Sequence, residues 1–197
     1  MLFLNVVKTR PPPQKVKMKM ENLPERVQFS KSNKNIFLIV CAGLFFGLIL
    51  KLFVFEILTV SGESMTPCLH DGDKIFINKL AFGIVKPYGD KLLFQWKKPE
   101  RGNIVIYLYN NKIVVKRCLA VSGDLLEFSR DNEYNYYAEV CGTKLLLSES
   151  QYQNLKNSES VPEGYILAIG DNQKVSVDSR TYGFVSEKSV LGKVLCK

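Results

Sequence analysis

Asn103-Ile104-Val105-Ile106-Tyr107-Leu108-Tyr109-Asn110-Asn111-Lys112-Ile113-Val114-Val115 is the stretch that sets the fold class. Both arms are rich in β-branched and aromatic side chains, which suit a pleated, half-buried surface. Asn110-Asn111 is a two-residue link of the kind that tolerates positive φ, so the stretch predicts a β-hairpin. Outward from it, residues 73–78 (DKIFIN) alternate, with Ile75 and Ile77 on one face. Residues 164–170 (GYILAIG) and 189–196 (SVLGKVLC) continue the pattern, and Gly, Asp and Asn clusters separate the segments. No long run of 3.6-residue period is evident past residue 55. The expectation is a mostly-β domain over residues 56–197, with the polar stretch 151–160 as a loop.

The chain has 197 residues, 46% hydrophobic and 23% charged, which excludes a disordered chain. No fixed-period repeat is present, which argues against solenoids and propellers. The net charge of +8 points at first to nucleic acid. Its location does not. Residues 1–35 hold Lys8, Arg10, Lys15, Lys17, Lys19, Arg26, Lys31 and Lys34 against Glu21 and Glu25. Beyond Lys51 the acidic and basic residues nearly cancel, so no nucleic-acid partner is expected.

Ile36 to Leu50 (IFLIVCAGLFFGLIL) carries no charge, and with Lys51 as its one cation the apolar run reaches Phe55. A helix of about 20 residues spans the roughly 30 Å hydrocarbon core of a bilayer. A soluble core helix rarely has apolar residues on every face. A cleaved secretory signal needs a small-x-small site, and none follows the run. Residues 36–55 are therefore expected as a transmembrane helix. The basic tail 1–35 reads as disordered and cytoplasmic, with residues 56–197 on the far side.

The five cysteines contain no CxxC spacing, and Cys41 lies within the apolar run. An exported domain can oxidise a pair among Cys68, Cys118, Cys141 and Cys196, but spacing does not tell which. With one histidine, His70, no metal site is expected. His70 is also the only candidate for a Ser-His pair, and its Asp71-Gly72-Asp73 neighbourhood reads as an exposed turn.

Three further segments carry chemistry. Ser61-Gly62-Glu63-Ser64-Met65-Thr66-Pro67-Cys68-Leu69 follows the apolar run. Lys116-Arg117 closes a hydrophobic strand, and Gly170-Asp171-Asn172-Gln173-Lys174-Val175-Ser176-Val177-Asp178-Ser179-Arg180 comes near the end. Taken singly, each has a bland explanation: a turn hydroxyl, an edge-strand lysine, a surface ion pair. In this order behind an apolar anchor, and with Arg101-Gly102-Asn103-Ile104-Val105, they resemble the type I signal peptidase family. The resemblance covers the anchor and about residues 56–123 and 164–197, and leaves 125–163 as a variable insertion.

That resemblance implies a signal-peptidase-like β-barrel or sandwich domain after one transmembrane helix. It implies a serine endopeptidase that removes signal peptides from exported preproteins and uses no cofactor. Ser64 is then the nucleophile and Lys116 the general base. A hydroxyl is a weak nucleophile until a base takes its proton, and a solvated lysine, with a pKa of about 10.4, is protonated at neutral pH. Burial lowers that pKa, which the apolar flanks of Lys116 favour. Ser176 matches a serine that holds the lysine amine, Asp178 and Arg180 a structural ion pair, and Asp171 and Asn172 the same turn. Gly62 stands where some members carry an oxyanion-stabilising hydroxyl. The second donor beside the Ser64 N–H is then a backbone N–H, a water or Ser61. Cys68, Asn103 and Gln173 depart from the usual Thr, Asp and Arg.

Met65, Ile75, Phe76 and Leu92 are the expected lining of shallow substrate pockets, and 92–94 a candidate edge for an extended substrate. Leu92-Leu93-Phe94-Gln95-Trp96, followed by Lys97-Lys98, reads equally as an interfacial anchor or an ordinary amphipathic strand. The implied partners are preprotein signal peptides, the lipid bilayer and a nearby secretion translocase, at the bacterial inner membrane. The alternatives are a dedicated pilin- or conjugation-type processing peptidase and a catalytically silent, membrane-tethered binding domain.

Overall fold

The computed structural model describes residues 31–49, 51, 54–86 and 89–196. The expected basic tail lies outside them up to residue 30. Helix α1 runs Lys31–Ile49, and its apolar side chains from Ile36 to Ile49 are exposed. Among the described residues, no helix is long and apolar enough to cross a membrane. The stretch expected as one helix over 36–55 does not run through as such. Phe55 opens strand β1 (Phe55–Thr59), where it faces Asn78 and stacks its ring on Phe76 with centroids 5.0 Å apart.

The chain continues through β2 (Lys74–Asn78), β3 (Gly83–Val85), β4 (Leu92–Gln95), β5 (Ile104–Tyr109) and β6 (Lys112–Val121). It then forms β7 (Leu126–Arg130), β8 (Tyr136–Val140), β9 (Thr143–Leu147), helix α2 (Glu149–Leu155) and β10 (Tyr165–Ile169). Helix α3 (Ser179–Tyr182), β11 (Val185–Ser186) and β12 (Val190–Cys196) end it. Seven strands form one antiparallel sheet in the order β1-β2-β12-β5-β6-β10-β11. β3-β4 and β7-β8-β9 form two smaller sheets. The mostly-β expectation holds. Among the described residues, β1 and β11 are the outer strands of the large sheet.

The deciding hairpin forms as read. Tyr109 pairs with Lys112, and Asn110 and Asn111 sit at φ 50° and 59°, the left-handed pair that matches strand twist. Along β6 the register with β10 shifts between Leu167 and Ala168, leaving Leu119 as the extra residue. Such a bulge turns neighbouring side chains to different faces. Cys118 accordingly packs with Val105, Tyr107, Ile166 and Ala168, whereas Ala120 packs with Val140, Leu145 and Leu167. A third cluster of Val60, Met65, Leu69, Ile75, Ile77, Ile106 and Val194 fills the space beneath the 60–73 loop.

The region 125–163 folds as the three-stranded sheet plus α2, which replaces the start of the expected 151–160 loop. The local reason is a capping box: Gln151 N–H donates to Ser148 Oγ at 3.2 Å, and Gln151 Oε1 accepts from Ser148 N–H at 2.9 Å. Leu155 is then fully buried. Neither signal needs a long periodic run, so a short helix escapes a search for one. Replacing Ser148 with Ala leaves orphan N–H groups at the helix start and is expected to cost about 1 kcal/mol. Urea unfolding of the detergent-solubilised chain measures it as a lower midpoint with unchanged slope.

Candidate active site

Ser64 lies in the loop between β1 and β2. Val60 N–H to the Asp73 carbonyl at 2.8 Å and Gly72 N–H to the Val60 carbonyl at 3.0 Å close the loop at its neck. Within it, Gly62 sits at φ 90°, a backbone region that glycine tolerates best, and its N–H donates to Asp71 Oδ1 at 2.7 Å. Met65 is buried beneath Ser64 in the apolar cluster. That burial pins the loop from below and leaves Ser64 above it.

Lys116 comes from the middle of β6, opposite Val105. It is only 4% exposed, and its Nζ donates to Ser64 Oγ at 2.8 Å. Burial pushes the amine below the ordinary lysine range. Asp178 and Asp171 pull the other way at longer range, and Arg180 adds to the lowering. No carboxylate pairs directly with the amine among the described residues. The result is a hydroxyl and a desolvated amine in contact.

The loop from Gly170 to Arg180 braces this pair. Asp178 and Arg180 are buried, at 0% and 2% exposure, and join through two contacts of 2.9 Å. Asp178 also accepts from Gly170 N–H at 3.0 Å and caps α3 through Arg180 N–H. Arg180 reaches on to the Gln173 carbonyl at 3.0 Å. Asn172 N–H donates to the Ser64 carbonyl at 3.0 Å, and its side-chain amide donates to Thr66 Oγ1 at 3.0 Å. Asp171 accepts two contacts of 2.7 Å from Arg117. The loop is thus tied to both the Ser64 segment and the lysine strand.

Gly170 sits where these segments converge. A Cβ there would lie 2.2 Å from Ser176 Oγ and 2.6 Å from the Ser64 carbonyl oxygen. Ser176 is buried, but the expected hydrogen bond to the Lys116 amine is not made. Its Oγ has no partner among the described residues, packed as it is against Gly170 while the amine is directed at Ser64.

A cleft of about 580 Å³ opens on the pair. Met65 and Ile75 line it, as do Ser61, Val114, Val175 and Val177. The expected pocket residues Phe76 and Leu92 do not. Phe76 follows Ile75 in a strand, so it points to the opposite face, and there it meets Phe55. Leu92 packs in the core with Phe82 and Tyr107, and β4 pairs only with β3. The sequence reading missed Val175 and Val177, both 57% exposed. Their signal was alternation about Ser176, two apolar residues with no buried face to serve. It also gave Arg117 no role, although a strand places its side chain opposite that of Lys116. His70 is exposed, its backbone N–H donating to Asp73, and the side chain that meets Ser64 Oγ is that of Lys116.

Asp178→Ala leaves the Arg180 guanidinium buried without its carboxylate. Breaking such a pair costs roughly 3–5 kcal/mol. Chemical unfolding is expected to show that loss, and an Arg180→Met/Asp178→Leu double replacement is expected to recover much of it.

Three comparisons with known proteins show what this chain is similar to. The family model described as "Signal peptidase, peptidase S26" matches residues 32–197. Signal peptidase IB of Staphylococcus aureus strain Mu50 is 32% identical over 152 residues, covering 69% of this chain and 73% of that one. Signal peptidase I of Pseudomonas fluorescens is 27% identical over 214 aligned residues, covering 86% and 75%. A crystal structure of a signal peptidase I from Enterococcus faecalis V583 has 31% sequence identity and a TM-score of 0.35, covering 50% of this chain and 97% of its own. A match that runs from the apolar helix to the last residue, and so takes in both Ser64 and Lys116, shows that this chain belongs to the signal peptidase S26 family.

Proposed function

We propose that this chain is a membrane-anchored serine endopeptidase that removes N-terminal signal peptides from exported preproteins. The single observation that carries the chemistry is the 2.8 Å contact between Lys116 Nζ and Ser64 Oγ at a buried site. In the neutral amine the contact reverses, and the Ser64 O–H donates to the nitrogen lone pair. Lys116 takes that proton as Ser64 Oγ attacks the scissile carbonyl carbon. The resulting ammonium then gives its proton to the leaving amine, and an acyl-enzyme ester on Ser64 remains. Water, deprotonated by the same lysine, attacks the ester and frees the serine.

The oxyanion of each tetrahedral intermediate is held by the Ser64 backbone N–H. Gly62 has no hydroxyl to add, and its N–H is engaged by Asp71. Ser176, with its buried and unpartnered Oγ, supplies a second contact to the amine during turnover. Asp171, Asn172, Asp178 and Arg180 position the loop and touch no reacting atom.

The cleft supports an extended substrate beside the open edge of β1. Met65, Ile75, Val175 and Val177 present apolar walls that favour small side chains next to the scissile bond. The anchor reading rests on the uncharged run from Ile36 and on the exposure of its side chains along α1. It places the N-terminus in the bacterial cytoplasm and the catalytic domain on the outer side of the inner membrane, where preproteins leave the secretion translocase. The relatives carry the signal peptidase name, and no observation favours a dedicated pilin peptidase or a silent binding domain.

Preprotein cleavage in detergent tests the mechanism. Ser64→Ala and Lys116→Ala are each expected to lose at least 10³-fold in kcat, and wild-type turnover by either would end the proposal. The pH profile follows from the lowered lysine pKa. The active form is the neutral amine, so kcat/KM rises with pH, with its midpoint below the ordinary lysine value of about 10.4. A maximum well below pH 6 would identify a different base.

A further inference from the structure

The cleft has a far end that the catalytic chemistry does not use. Two strand segments wall it, residues 58–61 at the end of β1 and residues 112–116 of β6. Among the described residues, β10 lies beside β6 only from Arg117 to Val121. Four antiparallel pairings lead from β1 through β2, β12 and β5 to β6. An even number of reversals means that β1 and β6 run in the same direction. Both start at the end of the cleft that carries Phe55 and Lys112, and both finish at the end that carries Ser64 and Lys116. Side chains alternate along a strand, so Lys112, Val114 and Lys116 share a face. Four steps of about 3.3 Å place Lys112 about 13 Å from Lys116 along the strand.

Charge singles out Lys112. Of the described side chains that line the cleft, Lys112 and Lys116 are the charged ones, and no carboxylate is among them. Lys116 is buried against Ser64. Lys112 is exposed and joins none of the ion pairs among the described residues. Across the ladder it faces Tyr109, whose ring stacks on that of Tyr182 with centroids 4.0 Å apart. The hairpin end is therefore held in place, and the residue facing Lys112 brings no charge. An ammonium group at the mouth of a groove with apolar walls sets the sign of the potential that an entering chain meets.

We propose that Lys112 determines a charge preference of the enzyme: it favours a carboxylate and rejects a cation four residues before the substrate residue whose carbonyl is attacked. With that residue counted as −1, the selected position is −5. The proposal rests on the membrane-anchored peptidase reading above, which also fixes the direction of the substrate. Six residue steps separate Ile49 of α1 from Phe55 of β1, about 20 Å when fully extended. The Phe55 end of β1 is thus tethered to the anchor. The apolar segment of a signal peptide is held in the same bilayer, so the chain before the scissile bond enters from that end, past Lys112. An extended peptide advances at the same rise per residue as the strand beside it. Residue −5 therefore passes Lys112 when residue −1 lies at Ser64.

The test uses the full chain in a non-ionic detergent and three signal-peptide substrates that differ only in Glu, Gln or Lys at −5. The readout is the ratio of kcat/KM between peptides within one enzyme variant, which cancels any loss of folded protein. The wild type is expected to prefer Glu to Lys about fivefold, the scale of an exposed ion pair exchanged for a repulsion. The preference is expected to vanish at about 1 M salt, where charges are screened beyond about 3 Å. Lys112→Gln is expected to bring the ratio to one, and Lys112→Glu to invert it. Lys156→Glu makes the same change in net charge at an exposed position at the end of α2, and is expected to keep the wild-type ratio. Equal cleavage of the three peptides by the wild type overturns the proposal. So does a preference that survives Lys112→Gln, one that Lys156→Glu removes as well, or one that appears when the charge is placed at +4 instead of −5. A Gln peptide that the wild type leaves uncut, or that Ser64→Ala cuts equally well, ends the serine peptidase reading and this proposal with it. Cleavage that depends on Ser64 and ignores charge ends the proposal alone.

Discussion

The site depends on keeping one amine dry. A lysine in the middle of a strand ordinarily extends its stem and places its charge in water. Lys116 instead lies under the 60–73 loop, in contact with a serine hydroxyl. Desolvation of the charged form lowers its pKa, and that has a thermodynamic consequence. The unfolded chain holds the proton up to about pH 10.4, whereas the folded chain gives it up earlier. Below the ordinary value the folded state is therefore destabilised by this residue, and its contribution becomes less unfavourable as pH rises between the two pKa values. The protein carries that cost at the contact between Lys116 and Ser64.

Holding the amine and hydroxyl together requires three segments far apart in sequence to meet within hydrogen-bond distance. Apolar burial of Met65 and Leu69 seats the Ser64 loop from below. The 170–180 loop ties it from the side through Asn172, and the lysine strand through Asp171 and Arg117. The buried Asp178–Arg180 pair then fixes the loop itself, gathering Gly170 N–H and the Gln173 carbonyl. Such a pair contributes little net stability compared with apolar packing, but its directional contacts permit few arrangements. Gly170 completes the assembly, since a larger residue there would push against both Ser176 and Ser64.

How far each feature was legible follows from the range of the interaction that produces it. The hairpin at residues 104–121 is local: two β-rich arms and an Asn-Asn turn leave few other conformations. The short helix α2 is equally local, but its signal lies in Ser148 and Gln151 rather than in periodicity. Ile75 and Phe76 illustrate the next level. Their alternation was plain, yet which of the two faces the cleft depends on how β2 packs beneath the loop. Leu93 and Leu119 mark bulges, and a bulge depends on the partner strand, so neither could be read from one strand alone.

The sequence by itself determined the candidate groups and the strand content: a serine after an apolar run, a lysine in an apolar strand, and a loop with the Asp-Ser-Arg ending. These are properties of residue type and order, which survive any arrangement of the chain. Only the tertiary structure decided that Lys116 is desolvated against Ser64, that Ser176 is not its partner here, and that Val175 and Val177 wall the cleft in place of Phe76 and Leu92. Desolvation and proximity are created by segments more than 50 residues apart closing on one another, and no local pattern encodes that closure.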